Sequence, residues 1–219
     1  MAILPPMPLY LAQSRHVGGL KPATRERLAG KRFRLRASAE AQPYEVDAYN
    51  LDTHGADFLS HWYWQVRLEG EHAALWGQLG LSPTQFLATY AGVELVVCHR
   101  QGADWPNGEG LMMVMWGDDR VPELRVRVHF WVHPVYRTPQ ITPYLARAML
   151  SHYFDVVGYQ ILEGRTPLGN TLALRFVKRL GFTMGAPIPN AEWTYASDGT
   201  RRLGAVVPSY MTREMWEER

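Results

Sequence analysis

The sequence predicts an α/β fold: a mixed, mostly antiparallel central sheet flanked by helices. Three observations carry the prediction. A strand, a helix and a second strand follow one another between Leu124 and Glu163. Two strand-like runs joined by a long polar loop precede that unit, and two more runs around a short turn follow it.

In chain order, residues 1–31 are expected to form a basic N-terminal arm and residues 32–219 a single domain. Phe33 and Leu35 alternate with Arg32, Arg34 and Arg36, which predicts a first strand over about Arg32 to Ala37 with a charged, edge-like face. From Val46 to Leu79 the pattern turns helical. Phe58, Leu59, Trp62 and Val66 recur at the helical period, and beyond Gly70 so do Ala73, Trp76 and Leu79. Ser82-Pro-Thr-Gln85 reads as a capping box with proline in the first turn, and Gly92 closes the helix it opens. Within His61-Trp-Tyr-Trp64, Trp62 and Tyr63 point in different directions on a helix, so the cluster reads as core packing. Val93 to His99 and Leu111 to Trp116 are strands joined by a loop holding Gly102, Pro106, Asn107, Gly108 and Gly110.

Leu124 to Val132 is rich in β-branched and aromatic residues and stops at Pro134. Thr142 and Pro143 signal a helix start, Ile141, Leu145, Ala148, Met149 and Tyr153 share its apolar face, and Gly158 ends it. Tyr159 to Glu163 is the next strand, Gly164 to Gly169 a turn, and Asn170 to Leu180 a helix ended by Gly181. Glu192 to Ala196 and Gly204 to Tyr210 complete the sheet around the turn Ser197-Asp-Gly-Thr200.

Two of these segments carry a resemblance. Val132-His-Pro-Val-Tyr-Arg137 resembles the end of the central strand in the GNAT acetyltransferase superfamily. Asn170-Thr-Leu-Ala-Leu-Arg-Phe-Val-Lys-Arg-Leu-Gly-Phe182 is similar to its second motif, with Asn170, Ala173, Phe176, Gly181 and Phe182 in register. Ser209-Tyr-Met-Thr-Arg-Glu-Met-Trp216 looks like the tail of some phage-borne members.

The resemblance implies acetyl-coenzyme A as cofactor. Its pantetheine would lie along the main chain of Phe130, Trp131 and Val132, in a gap between the central strand and the next. Its diphosphate would meet the loop containing Arg137, Thr138, Gln140, Ile141 and Thr142, with Asn170, Ala173 and Phe176 on the following helix. Two departures stand out. Gln140 and Thr142 occupy the family's glycine positions, and Pro139 and Pro143 lack an N–H, which implies a cofactor held weakly or differently. Val177 stands where many members carry a tyrosine that protonates the leaving thiolate.

Acyl transfer to an amine needs a base, oxyanion donors and a proton for the thiolate. His129 is the first choice of base, because imidazole titrates near neutrality and the residue lies on the central strand. Glu94, Glu109 and Glu123 are alternatives. Tyr136, Tyr144 and Tyr153 are candidate acids near the loop or on its helix. The spacing of His129 and His133 spans about 13 Å on a strand, too far for one metal ion.

The function expected on these grounds is N-acetylation of an amine acceptor, a small molecule or a protein amino group. The rival is a GNAT-like binding or structural module without catalysis, of phage origin.

Composition narrows the remaining classes. Of 219 residues, 47% are apolar, which argues a packed domain. The single Cys98 lies in an apolar run and reads as core; it excludes internal disulfides and cysteine-rich metal sites. No apolar run approaches a membrane span, and Met1 to Tyr10 lacks the basic start of a signal peptide, so a cytoplasmic protein with no membrane partner is expected. A net charge of +2 announces no partner. The cluster Lys21, Arg25, Arg27, Lys31, Arg32, Arg34 and Arg36 has no aromatic interleaving, so the edge-strand reading is preferred to a nucleic-acid contact. The arm is expected to lie on the surface or to reach a second copy of the chain in a homodimer.

Overall fold

The computed structural model describes residues 44–68, 82–195 and 201–218. The expected arm, the strand over Arg32 to Ala37, the helix through Ala73 to Leu79 and the turn Ser197 to Thr200 lie outside the described residues.

The chain runs β1 (Tyr44–Tyr49), α1 (Leu51–His54), α2 (Asp57–Leu68), α3 (Pro83–Tyr90), β2 (Glu94–Arg100), β3 (Leu111–Val121) and β4 (Arg125–Val132). It continues through α4 (Ile141–Ser151), β5 (Ile161–Pro167), α5 (Thr171–Leu180), β6 (Thr183–Met184), β7 (Ile188–Tyr195), β8 (Arg201–Thr212) and α6 (Arg213–Glu217). The strands form one sheet in the order β1-β2-β3-β4-β5-β8-β6, with β7 also paired to β8. β4 and β5 are parallel, as the intervening helix requires, and the other pairs are antiparallel. This is the predicted mixed, mostly antiparallel sheet.

Each face of the sheet carries a core. On one, Val96, Val126, Val128 and Leu162 meet Met149, Tyr153 and Phe154 of the α4 region and Val177 and Leu180 of α5; Cys98 lies in this core, fully buried. Burial pushes its thiol up, which makes it an inert packing residue. On the other face, Leu95, Val97, Val114, Trp116 and Trp131 meet Phe58, Trp62, Phe86 and Tyr90 of α2 and α3. The Trp62 ring touches those of Phe86, Tyr90 and Trp116 at centroid distances of 5.3, 5.3 and 5.5 Å. Trp62 and Tyr63 are buried as expected of core residues, whereas Trp64 is 54% exposed.

Several boundaries differ from the sequence reading. Val46 to Tyr49 is strand, not helix. Tyr44 and Val46 alternate with Glu45 and Asp47 at period two, and the helical pattern starts only after Asn50, whose side chain caps α1. The helix expected to begin at Pro143 behind a Thr142 cap begins at Ile141, which puts Pro143 in the third position; the N–H that proline lacks there is also one an α-helix leaves without an internal partner.

The strand expected to stop at Glu163 continues to Pro167, because β8 pairs with it from Ile161↔Thr212 to Pro167↔Val206. Gly164 permits this close approach, since a Cβ there would sit 2.8 Å from Ser209 Oγ. Finally, α4 passes into a π-helical turn, His152–Val157, before Gly158 ends it with φ 95°.

The tail motif has a structural meaning at that π turn. Thr212 caps α6 by accepting from Met215 N, and Trp216 stacks on Phe154 at 5.5 Å. Arg213 donates to the carbonyl oxygens of Phe154 and Tyr159, and its own N–H donates to Gln160 O at 2.8 Å. It thus satisfies carbonyls near the end of the π turn.

Candidate functional site

The site is built around the outer half of β4. Its pairing with β5 covers Arg125↔Ile161, Val126↔Leu162 and Arg127↔Glu163 and then stops, although β4 continues to Val132 and β5 to Pro167. Beyond that point β5 pairs only with β8 among the described residues.

The direction of the main-chain groups follows from two hydrogen bonds. Leu124 O accepts from Ile161 N at 2.9 Å, and His133 N donates to Met112 O at 2.9 Å. By alternation, the even residues of β4 turn their N–H and C=O toward β5 and the odd ones toward β3. Phe130 and Val132 therefore face the side from which β5 has departed.

Side chains alternate as well. Val126, Val128, Phe130 and Val132 lie on the face of α4 and α5, where the Phe130 ring meets Phe176 edge-on at 5.8 Å. His129 and Trp131 lie on the face of α2 and α3. His129 pairs across the sheet with Trp116, and the two rings stack at 5.2 Å, only 10° from parallel. Its Nε2, shielded from solvent, approaches Asp118 Oδ2 at 3.1 Å, too bent for a straight hydrogen bond, so the contact is ionic when the ring is protonated. Asp118 Oδ1 accepts from Arg127 Nε at 2.7 Å. Burial alone would raise the Asp118 carboxyl, but His129 and Arg127 outweigh it and hold it at about 2. Asp118 is not evident from the sequence, because the apolar run that marks β3 ends at Trp116 while the strand itself continues to Val121. Two residues further along the same strand place it on the same face, diagonally opposite His129.

The loop after β4 is closed on itself. Val135 N donates to His133 Nδ1, Tyr136 N to His133 O, Arg137 N to Pro134 O and Thr138 N to Tyr136 O. Thr138 then caps α4 twice, its Oγ1 accepting from Ile141 N at 3.1 Å and its carbonyl from Thr142 N at 3.1 Å. Thr142 Oγ1 turns inward to Tyr136 O at 2.8 Å. Gln140 is the remaining amide of that stretch. The Arg137 guanidinium folds back onto Val132 O, with Nε at 2.8 Å and Nη2 at 2.6 Å. Across from the loop, Asn170 caps α5 by accepting from Ala173 N at 3.1 Å, and Arg179 at its far end donates to Pro139 O at 3.3 Å.

The structure thus brings together Phe130, Val132, the loop Tyr136 to Thr142, and α5 with Phe176. Trp131 is buried on the opposite face, and Glu123 sits in the β3–β4 turn with φ 61°, at the far end of β4 from Val132. The other carboxylate alternatives are elsewhere too. Glu94 lies on the α4 face beside Arg120 and Tyr159, its carboxyl pushed up by burial, and Glu109 is in the exposed β2–β3 loop. The Tyr153 hydroxyl is buried and donates to Glu94 O at 3.2 Å, and Tyr144 packs edge-on against Tyr44. Val177 is 8% exposed and belongs to the core.

For coenzyme A the fit divides along the molecule. The unpaired lane beside Phe130 suits the amide-bearing pantetheine arm, while the Val132 carbonyl next to it is already held by the Arg137 guanidinium. The loop does not present the row of outward N–H groups that a diphosphate would need.

Solved structures settle the architecture. A GNAT-family protein from Chromobacterium violaceum is 17% identical over 87% of this chain and 94% of its own, with a TM-score of 0.58. A GNAT-family acetyltransferase from Bacillus anthracis gives 9%, 83%, 99% and 0.56 in the same order. A Salmonella typhimurium protein solved with its cofactor acetyl-CoA gives 18%, 78%, 94% and 0.53. The fold is the GNAT fold. At these identities the likeness extends to the GNAT architecture alone. No protein-family model and no curated protein matches the chain. Among the described residues no helix is long and apolar enough to cross a membrane, and no group of histidine, cysteine and carboxylate side chains is placed to hold a metal ion.

Proposed function

We propose that the protein is an acyl-coenzyme A-dependent N-acyltransferase acting on an amine. The parting of β4 from β5 after Arg127↔Glu163 carries this reading, because it leaves a lane of main-chain donors and acceptors that an extended amide-bearing ligand can join as a third strand. The bound thioester supplies an activated acyl carbon. Phe130 and Val132 would hold the donor arm in register, and Phe176 closes the lane from α5.

His129 would take the proton that the amine loses as the new C–N bond forms and the C–S bond breaks. Asp118 would fix its ring, since Nε2 faces that carboxylate and the ring is clamped on Trp116. Tyr136 is the candidate donor of the proton to the thiolate, because Val177 has none to give. Two observations favour a second reading, a GNAT-fold module that binds without turnover: the self-capped loop and the buried Val177.

The experiment is a thermal melt with acetyl-coenzyme A, followed by thiol release across a panel of amines. Stabilisation that grows with ligand, and thiol release that His129→Ala abolishes, are expected. No stabilisation at millimolar ligand removes the acyltransferase reading; stabilisation without thiol release from any amine leaves the binding module.

A further inference from the structure

We infer that the acyl donor is recognised through its pantetheine arm alone, so that the 3′-phospho-ADP half of coenzyme A adds almost nothing to binding. This rests on the acyltransferase reading and names its donor class: an acyl-pantetheine thioester, whether carried on coenzyme A, free, or as phosphopantetheine on a protein.

The argument is an inventory of donors. Between Val135 and Thr142, the N–H groups of Val135, Tyr136, Arg137, Thr138, Ile141 and Thr142 already donate within the loop and Pro139 has none, which leaves the single amide of Gln140 in place of a row of donors. For a diphosphate to use Ile141 N or Thr142 N, it must first expel Thr138 from the helix start, so the phosphate contact replaces an existing bond instead of adding one. Side chains also stand where an approaching phosphate needs bare backbone. Thr142 is held inward by Tyr136 O, and Gln140 is exposed at the helix start.

Among the described residues, the cations of the loop and of α5 do not repair the loss. The Arg137 guanidinium is bound to Val132 O and that of Arg179 to Pro139 O. Arg175 and Lys178 are exposed on α5, where water and salt screen them. In the pantetheine lane Arg137 already holds Val132 O, but Phe130 has no such competitor, since no strand pairs its main-chain groups on that side among the described residues. Binding free energy is therefore concentrated at one end of the donor.

The test is calorimetric titration of the full chain with reduced coenzyme A and with pantetheine, at physiological ionic strength. Dissociation constants within about threefold of each other are expected, a difference well under that of one hydrogen bond to a charged group. Coenzyme A binding tighter by about thirtyfold or more overturns the inference and leaves the acyltransferase reading standing. Binding of neither overturns both.

Thr138→Gly gives an independent arm, since it releases Ile141 N. Coenzyme A should then bind about tenfold tighter with pantetheine unchanged; no change in either constant means the loop is not what excludes the diphosphate, and the inference fails. Rates with acetyl-coenzyme A, S-acetylpantetheine and an acetylated carrier protein identify the source. Equal rates for the first two support recognition of the free arm, a faster carrier supports a protein-borne one, and a rate confined to acetyl-coenzyme A overturns the proposal.

Discussion

His129 Nε2 stands 3.1 Å from Asp118 Oδ2, across the diagonal of two neighbouring antiparallel strands. The pair gives the proposed base a fixed orientation and gives the carboxylate a reason to stay ionised. Asp118→Asn should lower kcat about 10- to 100-fold while leaving KM for the acyl donor nearly unchanged, because the donor lane lies on the other side of β4. His129→Ala should cost at least as much. A loss of donor affinity in either variant would place the pair in the donor site instead.

The same carboxylate makes stability depend on acid. Its folded pKa of about 2 is below the ordinary value of 3.8, so the unfolded chain binds the proton more readily. The stabilisation is complete above about pH 4 and is lost as pH falls toward 2. Asp118 is partly exposed, so the contribution is at most about 1 kcal/mol. Denaturant titrations should show a shallower decline between those pH values for Asp118→Asn than for the parent.

His152 provides a larger and separate pH effect. Burial pushes its imidazole down to about 4 from 6.5, and at 6% exposure it must stay neutral in the fold. Between those two values the unfolded chain takes up a proton that the folded chain refuses, so stability rises with pH across the interval. The expected rise is on the order of 3 kcal/mol, and His152→Phe should flatten it. An unchanged slope in the variant would assign the effect to another group.

Asn170 is a cap in this structure, whatever else it does. Asn170→Ala should destabilise the protein by about 1 kcal/mol, and Asn170→Asp or Asn170→Ser should recover most of the loss. Thermal melts of the three variants, with and without coenzyme A, separate the cap from a ligand contact: a contact would show as an affinity change that the serine does not rescue.

Arg213 holds the π turn to the end of β8. Arg213→Ala leaves the carbonyl oxygens of Phe154 and Tyr159 without this donor and should cost about 1 to 3 kcal/mol. Hydrogen exchange should speed up in His152 to Gln160 before it does in α5. Uniform acceleration across the sheet would mean that the tail supports the whole domain and not this turn.

Most of the fold was legible because its elements carry local signals. The Ser82–Gln85 capping box, Asn170 with Gly181, and the β-branched runs of β2 to β4 each announce their own structure. The strand misses share one cause: pairing partners that only the folded chain supplies. β5 extends past Gly164 because β8 lies alongside it, and β1 was passed over because its partner β2 lies more than forty residues away.

The candidate site divides in the same way. The lane at Phe130 to Val132 and the altered loop were visible as motif and departure. Asp118 was not, because a diagonal contact between strands leaves no spacing to read. Thr138 was placed in the loop, but its part in closing it shows only when the hydrogen bonds are traced.

β8 fills an interior lane of the sheet although it follows every other strand of that sheet along the chain, lying between β5 and the short β6 and β7. At roughly 5 to 20 residues per second on the ribosome, the growing chain carries an open seam along Ile161–Pro167 until residues 201–212 emerge to fill it. A nascent chain interrupted before that point offers seven residues of bare strand edge to any neighbour that can pair with it.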